Sequence, residues 1–251
     1  MTPMRLYLCS LITEEPLFFA SKEISNLYVT APYVGNYALV YALRLAPEEY
    51  PGSSEPHYRQ DFWTLDTYVF PAKFTEYRYT VESFNATGEG FYLAMRENIV
   101  IDGMMRQRLE QKHHQSIENI RIPVFNSPQI GRLKMIAPES RAFFFVLTER
   151  PLFLPKFVRL GKFLTKCRID VTELQFQERT GSFFCPFPLN PVDLDKSYTI
   201  LSYSMVSLKP VSLIEAVQAE GPYLSFCACI GSTPENFCLP HRVGYFMFYP
   251  S

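Results

Sequence analysis

The chain has 251 residues, a net charge of −1 and a composition that is 47% hydrophobic and 20% charged, which is ordinary for a folded protein with a substantial core. Its 22 Phe, 16 Tyr and 20 Pro against only 11 Gly indicate many short elements with stiff connections and argue against a helical bundle. The longest strongly apolar run, Ala142 to Leu147, is far shorter than the roughly 20 residues that a membrane-spanning helix needs. The six cysteines lack the density of a disulfide scaffold, so we expect a protein of the reducing cytoplasm, with no membrane partner.

The first third of the chain predicts a strand, a helix and then further strands. Arg5 to Ile12 is an apolar run typical of a strand. Strands are also predicted around residues 63–70 and 76–84. A helix is predicted from a stripe of residues that recur at helical spacing: Val34, Tyr37, Ala38, Tyr41, Ala42 and Leu45.

Residues 85–130 differ from the rest, because a turn at Asn85, Gly88 and Gly90 is followed by a polar stretch of mixed charge. We predict that this segment is an inserted arm standing out from a single domain that spans residues 1–251. After it, strands are predicted at 132–136, 141–149, 167–176, 198–206, 223–230 and 243–249. The second of these is almost continuously apolar, which indicates a central strand.

Positive charge is concentrated in one segment. Between Arg150 and Ile169 there are six basic residues and no acidic one, and from Arg132 to Ile169 the net charge is +7, so the remainder of the chain sums to −8. Such a segment can attract a polyanion locally; it can equally be a solvated face whose acidic partners come from elsewhere in the fold.

Two geometries fit the basic segment. If 155–166 is helical, Arg159, Lys162 and Lys166 share one face. If Gly161 instead forms a turn into the next strand, the same cations surround a glycine-centred loop. In either case Gly161 would let the backbone approach a phosphate closely, and Phe157 and Phe163 could stack on bases.

Other chemistry-bearing groups are less specific. Cys227, Cys229, Cys238 and His241 supply four zinc-ligand types, but C-x-C is not a usual zinc spacing, and the cysteines alternate with core residues of a predicted strand. The Lys112–His113–His114 run has the residue types of a metal-independent ribonuclease, although it lies in a polar stretch typical of an exposed helix. Phosphate-binding loop, nucleophile-elbow and H-E-x-x-H motifs are absent from the sequence, so no conventional enzyme, metal site or cofactor is predicted.

Several motifs together resemble a known family. They are the first strand followed by Pro16–Ala20, then Asn36–Leu43, Arg159–Lys166 and Pro188–Leu194. In this order and spacing they resemble the Cas-five-type subunit of type I-D CRISPR effector complexes. The resemblance implies an α+β protein of the RAMP superfamily, with an RRM-like, ferredoxin-type β-α-β core, additional β-strands and a protruding insertion.

The resemblance also implies a role. It implies a structural subunit that caps the 5′ handle of the CRISPR RNA and contacts the large, Cas-ten-like subunit and a backbone, Cas-seven-like subunit; target DNA near the PAM is a further candidate ligand. The predicted RNA-binding set contains Lys156, Arg159, Gly161, Lys162, Lys166, Arg168, Asn36 and Tyr37. Two alternatives remain open at this point: an endoribonuclease acting through Lys112, His113 and His114, and a protein-interaction module that does not touch nucleic acid.

Overall fold

The structure is a computed structural model. It describes residues 4–24, 27–46, 58–62, 64–85, 94–96, 99–101, 107–108, 110–112, 114, 130–209, 211–231 and 233–246. All structural statements below refer to these residues.

Strands dominate the described part of the chain. They are β1 (Arg5–Thr13), β2 (Lys22–Ile24), β3 (Leu27–Val29), β4 (Tyr33–Val34), β5 (Thr67–Val69), β6 (Ala72–Glu76), β7 (Tyr79–Asn85), β8 (Ala94–Arg96), β9 (Ile99–Ile101), β10 (Ile130–Ile136), β11 (Arg141–Thr148), β12 (Phe157–Leu160), β13 (Thr165–Leu174), β14 (Phe176–Cys185), β15 (Thr199–Val206), β16 (Leu213–Cys229) and β17 (Pro234–Pro240). The α-helices α1 (Asn36–Ala42) and α2 (Tyr58–Phe62) are both short. The predicted balance of an α+β protein is therefore corrected to a mostly β protein with few helices.

The main sheet is built around β11. Its residues from Ala142 to Thr148 are all buried, because an apolar strand needs cover on both faces, and this confirms its predicted central position. β1 pairs with one edge of β11, while β6 and β5 share the other edge. The full order is β12-β13-β1-β11-β6-β4, and every pairing in this sheet is antiparallel.

A second sheet packs against the same core. The 17-residue strand β16 pairs with β14 on one edge and with β15 and β17 on the other. Phe145 of the main sheet contacts Phe187 and Phe226, with ring centroids 4.7 and 5.3 Å apart. One hydrophobic cluster therefore joins both sheets, from Leu6 to Tyr245.

A third sheet forms the base of the predicted arm. Its order is β2-β3-β10-β7, and Asn85 at the end of β7 is paired with Ile130 at the start of β10. The chain thus leaves and re-enters the sheet at neighbouring positions, as an insertion would. Most of the 85–130 segment itself lies outside the described residues, and its outline as an arm stays a prediction.

Two details of the predicted elements are corrected. The helix covers only Asn36–Ala42, and its buried residues are Asn36, Tyr37, Leu39 and Val40, while Ala38 and Ala42 are partly buried. All six residues of the predicted stripe still meet the core, with Val34 and Tyr37 buried in it and Ala38, Tyr41, Ala42 and Leu45 packed against it; the differences are that Val34 belongs to β4 and that Leu39 and Val40, outside the stripe, are buried as well. No strand forms over residues 243–246; instead β17, which was not predicted, pairs with β16.

A buried carboxylate connects α1 to the second half of the chain. Asp193, at the end of a 3₁₀ turn (Pro191–Asp193), is 0% exposed. Its carboxylate accepts hydrogen bonds from Asn36 Nδ2 at 2.7 Å, from Tyr68 OH at 3.1 Å and from Tyr37 OH at 3.2 Å. Burial raises the pKa of Asp193 to about 7, and the hydrogen bonds from these three side chains act in the opposite direction.

Replacing Asp193 tests this connection. Asp193→Ala leaves three buried donors without their acceptor and is expected to lower the free energy of unfolding by about 2–5 kcal/mol. Asp193→Asn keeps an acceptor oxygen and the side-chain shape, so it should cost less. Chemical denaturation measures both, with Asp195→Ala as the control that loses the more exposed hydrogen bond from Ser197 N–H at 2.9 Å and should therefore cost less than Asp193→Ala.

The carboxyl group of Asp193 also makes the free energy of unfolding depend on pH. Its folded-state pKa of about 7 lies above its ordinary value of 3.8, so the folded protein holds a proton that the unfolded chain releases. This contribution to stability is fully present below about pH 4 and is lost as the pH rises through about 7. Between pH 5 and 8 the wild type should therefore lose stability relative to Asp193→Asn; parallel profiles would contradict the assignment.

Candidate nucleic-acid interface

The basic segment folds as a β-hairpin. β12 pairs with β13 in the register Phe157↔Arg168 and Arg159↔Lys166, and residues 161–164 form the turn. Buried residues alternate with exposed or partly exposed ones along β12 and along residues 165–169 of β13, which is the period of a half-buried sheet. The turn geometry is thus the one that forms, and the helix over 155–166 does not.

The outward face of this hairpin combines cations with aromatic rings. Phe157 is 45% exposed and lies under the ammonium of Lys166, which is 4.4 Å from the ring centroid. Phe163 in the turn is 56% exposed and stacks on Phe18 with centroids 5.2 Å apart. Exposed rings beside cations are the combination that binds single-stranded nucleic acid, since every base offers a face for stacking and every nucleotide a phosphate.

Gly161 is required by the fold of the turn. Its φ is +74°, and a Cβ there would lie 2.5 Å from the carbonyl oxygen of Phe18 and 2.9 Å from a methyl carbon of Leu17. The same Phe18 oxygen accepts a hydrogen bond from the backbone N–H of Lys162 at 2.9 Å. The space left by the missing side chain is therefore filled by the backbone of Phe18 and by Leu17, which explains the glycine through the fold, while its predicted contact with a phosphate stays a prediction.

Four cations of the basic segment meet carboxylates. Lys166 Nζ lies 2.7 Å from Glu14, Arg159 Nη1 lies 3.4 Å from Glu15, Arg150 Nε lies 2.6 Å from Asp66 and Arg168 Nε lies 3.5 Å from Asp170. The segment that is free of acids in sequence therefore acquires them through the fold, as the solvated-face alternative required. Sequence reasoning missed Glu14 and Glu15, which follow the first strand and lie about 150 residues from their partners.

Two lysines keep their charge available. Lys156 and Lys162 are exposed and make no ion pair with any residue in the described ranges. In sequence Lys156 directly precedes the exposed Phe157, and Lys162 directly precedes the exposed Phe163. They are the cations of the predicted set that a polyanion can reach without displacing a carboxylate.

Asn36 and Tyr37 do not belong to this surface. Their side chains are 2% and 4% exposed and both donate hydrogen bonds to Asp193. A buried side chain cannot contact an external strand, so these two residues leave the predicted RNA-binding set. Their role in the structure is to hold α1 in place.

The histidine and cysteine groups form no site in the described part of the chain. Lys112 and His114 are exposed, and His113 lies outside the described residues. Cys227 and Cys229 are exposed, while Leu224, Phe226 and Ala228 between and before them are buried, as the alternating strand predicted. Among the described residues no three His, Cys, Asp or Glu side chains gather as metal ligands.

Within the described part of the chain, no helix is long and apolar enough to cross a membrane.

Comparison with known proteins places the chain among CRISPR-associated proteins. The family model described as "Type I-D CRISPR-associated protein Cas5/Csc1" matches residues 4–248, which is almost the whole chain. The protein belongs to this type I-D family, and the family predicted from the motifs is confirmed.

Further comparisons add little. No curated protein matches the chain. A CRISPR protein from Archaeoglobus fulgidus, seen in a crystal structure, aligns with 11% identity and a TM-score of 0.42 over 94% of this chain and 100% of its own. A chain of the Type III-B Cmr-beta complex bound to cognate target RNA and AMPPnP aligns with 12% identity and a TM-score of 0.37 over 86% of this chain and 85% of its own. Both scores are below 0.5, so no argument rests on these two structures.

Gly161 provides a test of how the interface is positioned. Gly161→Ala places a methyl group against the Phe18 carbonyl and forces a left-handed backbone on alanine, which should lower the free energy of unfolding by about 1–3 kcal/mol and displace Lys162. Gly35→Ala is the control, because nothing lies within 4 Å of its Cβ position and its φ is −62°. Thermal unfolding checks both; equal melting temperatures for the two variants would contradict the packing of the turn.

Proposed function

We propose that this protein is a structural, RNA-binding subunit of a type I-D CRISPR effector complex, where it caps the 5′ handle of the CRISPR RNA. The observation that carries the proposal is the outward face of the β12–β13 hairpin, where Lys166 Nζ lies 4.4 Å from the ring centroid of Phe157 and Phe163 is 56% exposed. Lys156 and Lys162, which precede these two rings in sequence, are exposed and unpaired among the described residues. Family membership supplies the CRISPR context. The lysines would hold phosphates and the rings would stack on unpaired bases.

The proposed role is not catalytic. The carboxylates at the hairpin, those of Glu14, Glu15 and Asp170, are each engaged by a cation of the same surface, and Lys112 and His114 of the alternative ribonuclease site lie on another segment of the chain, so the proposal assigns the hairpin to binding and not to general acid–base chemistry. Partner subunits would be the large, Cas-ten-like subunit and a backbone, Cas-seven-like subunit, with the protein bridging them in the cytoplasm.

The strand order supports a RAMP-type core as part of the proposal. The four strands β13-β1-β11-β6 lie side by side and are antiparallel, in the order of two interleaved β-α-β units. α1 follows β1, as the first unit requires. In the second unit residues 149–156, between β11 and β12, contain no helix, and the short strand β12 extends the sheet instead.

The two available lysines provide the test of RNA binding. Changing both Lys156 and Lys162 to Glu should weaken retention of the CRISPR RNA by the co-expressed effector complex. It should also reduce the slope of log affinity against log salt by about 0.7 for each single-strand phosphate that the protein no longer neutralises. Purification of the complex followed by RNA quantification, and binding across a salt series, measure the two effects.

A matched control makes the same charge change elsewhere. Lys196 and Lys209 are exposed lysines that precede and follow β15, and their double change to Glu should leave RNA retention and the salt slope close to the wild type. If the hairpin variant behaves like this control, the hairpin is a solvated face and the chain acts through protein contacts alone.

A further inference from the structure

Residues 14–18 run along the basic hairpin and are fixed to it by the backbone. Glu14 N–H donates to the carbonyl of Lys166 at 2.9 Å, Thr165 Oγ1 donates to the carbonyl of Pro16 at 2.6 Å, and Lys162 N–H donates to the carbonyl of Phe18 at 2.9 Å. These hydrogen bonds occur at three points along a segment of five residues. The carboxylates of Glu14 and Glu15 are therefore brought to the cations by the fold itself, and not by chance contact of two long side chains.

The two cations that these carboxylates meet are direct neighbours. Arg159 and Lys166 are paired across β12 and β13, and like charges directly opposite each other repel. Glu15 Oε2 lies 3.4 Å from Arg159 Nη1 and accepts the backbone N–H of Lys166 at 2.9 Å, while Glu14 Oε2 lies 2.7 Å from Lys166 Nζ. The two glutamates thus occupy a pair of cations that would otherwise present a double positive charge to any anion.

The pairs are also exchangeable. The side chains of Arg159 and Glu15 are 59% and 52% exposed, and those of Lys166 and Glu14 are 38% and 31% exposed. Water and salt screen both ion pairs, and the Arg159–Glu15 pair, which is longer and more exposed, is the weaker of the two. A phosphate chain that already contacts Lys156 and Lys162 would reach the same cations at a high local concentration. A single anion, or a polyanion that misses the lysines and rings, would have to displace the carboxylates without that advantage.

We propose that Glu14 and Glu15 are specificity-determining residues of the hairpin: they act as internal anions that occupy Arg159 and Lys166 and suppress binding of arbitrary polyanions. The proposal rests on the proposed RNA-binding function. It predicts that the wild-type protein has a lower affinity for unrelated polyanions than its hairpin charge would give, and that the correct RNA displaces both carboxylates.

The test uses the full-length chain with both glutamates changed to Gln. Glutamine keeps an oxygen that can accept the Lys166 N–H, so the hydrogen bond to the backbone survives while the negative charge is removed. The control changes Glu139 and Glu235 to Gln, two exposed glutamates outside the hairpin, which alters the net charge by the same amount. The single variant Glu14→Gln serves if the double variant has a lowered melting temperature, because the Glu14 side chain pairs with Lys166 Nζ and does not hold the backbone of the hairpin.

Two probes distinguish this inference from the RNA-binding function on which it rests. Elution from a heparin column tests only whether Glu14 and Glu15 mask the cations from anions, since heparin is a generic polyanion. The Glu14→Gln, Glu15→Gln variant should elute at higher salt than the control variant.

Fluorescence anisotropy measures the affinity for an unrelated single-stranded RNA. The Glu14→Gln, Glu15→Gln variant should bind it about three- to tenfold more tightly than the wild type at low salt, and the gain should fade as salt screens the charges. The gain for the cognate handle RNA should be smaller, so that discrimination falls.

The outcomes are distinct. If the Glu14→Gln, Glu15→Gln variant and the Glu139→Gln, Glu235→Gln control elute from heparin at the same salt concentration, the two glutamates do not mask the cations, whatever the affinity of the chain for RNA. If the wild type and the variants bind the handle RNA but the glutamine variant gains no affinity for unrelated RNA, the proposal is also overturned despite a heparin shift, because the carboxylates would then not control RNA binding. Loss of RNA binding in every variant, with the heparin shift retained, would leave the masking standing and refute the proposed RNA-binding function instead.

Discussion

The close approach of Gly161 to the backbone of Phe18 is the constraint on which the candidate interface depends. Because no side chain fits between them, the turn of the hairpin can lie directly on residues 14–18, with Lys162 N–H bonded to the Phe18 carbonyl. The ring of Phe18 in turn stacks on Phe163 and also belongs to a small core with Leu133 and Met135 of the third sheet. The hairpin is thus held by packing from behind, while its outward face stays exposed.

On the outward face of the hairpin, neighbouring carboxylates balance part of the positive charge. Of the five cations of the hairpin, Arg159, Lys166 and Arg168 lie near the carboxylates of Glu15, Glu14 and Asp170, while Lys156 and Lys162 make no ion pair among the described residues. Exposed ion pairs contribute little to stability, so these carboxylates are better explained by what they do to ligand binding than by what they do to folding. The same surface can therefore be soluble and selective in a protein whose overall charge is near zero.

Much of the fold could be predicted from local sequence patterns. The features that could not be predicted depend on contacts between residues far apart in the sequence. The central position of β11 follows from its uninterrupted apolar sequence, and the exposed Cys227 and Cys229 follow from strict alternation in β16. The predicted stripe of α1 does meet the core, but the burial of Asn36 could not be predicted, because the partner of its side chain is Asp193, 157 residues away. Asn36 looked like a surface polar group for the same reason. The pairing of Glu14 and Glu15 with the hairpin likewise has no local signal, since their partners follow about 150 residues later.

The central claim is that the β12–β13 hairpin contacts the guide RNA in the assembled effector complex. Photo-crosslinking tests it most directly, with 4-thiouridine placed in the 5′ handle and crosslinked peptides identified by mass spectrometry. The account predicts crosslinks to peptides within residues 156–166, at or beside Phe157 and Phe163. Crosslinks that fall only on other parts of this chain, or only on other subunits, would contradict it.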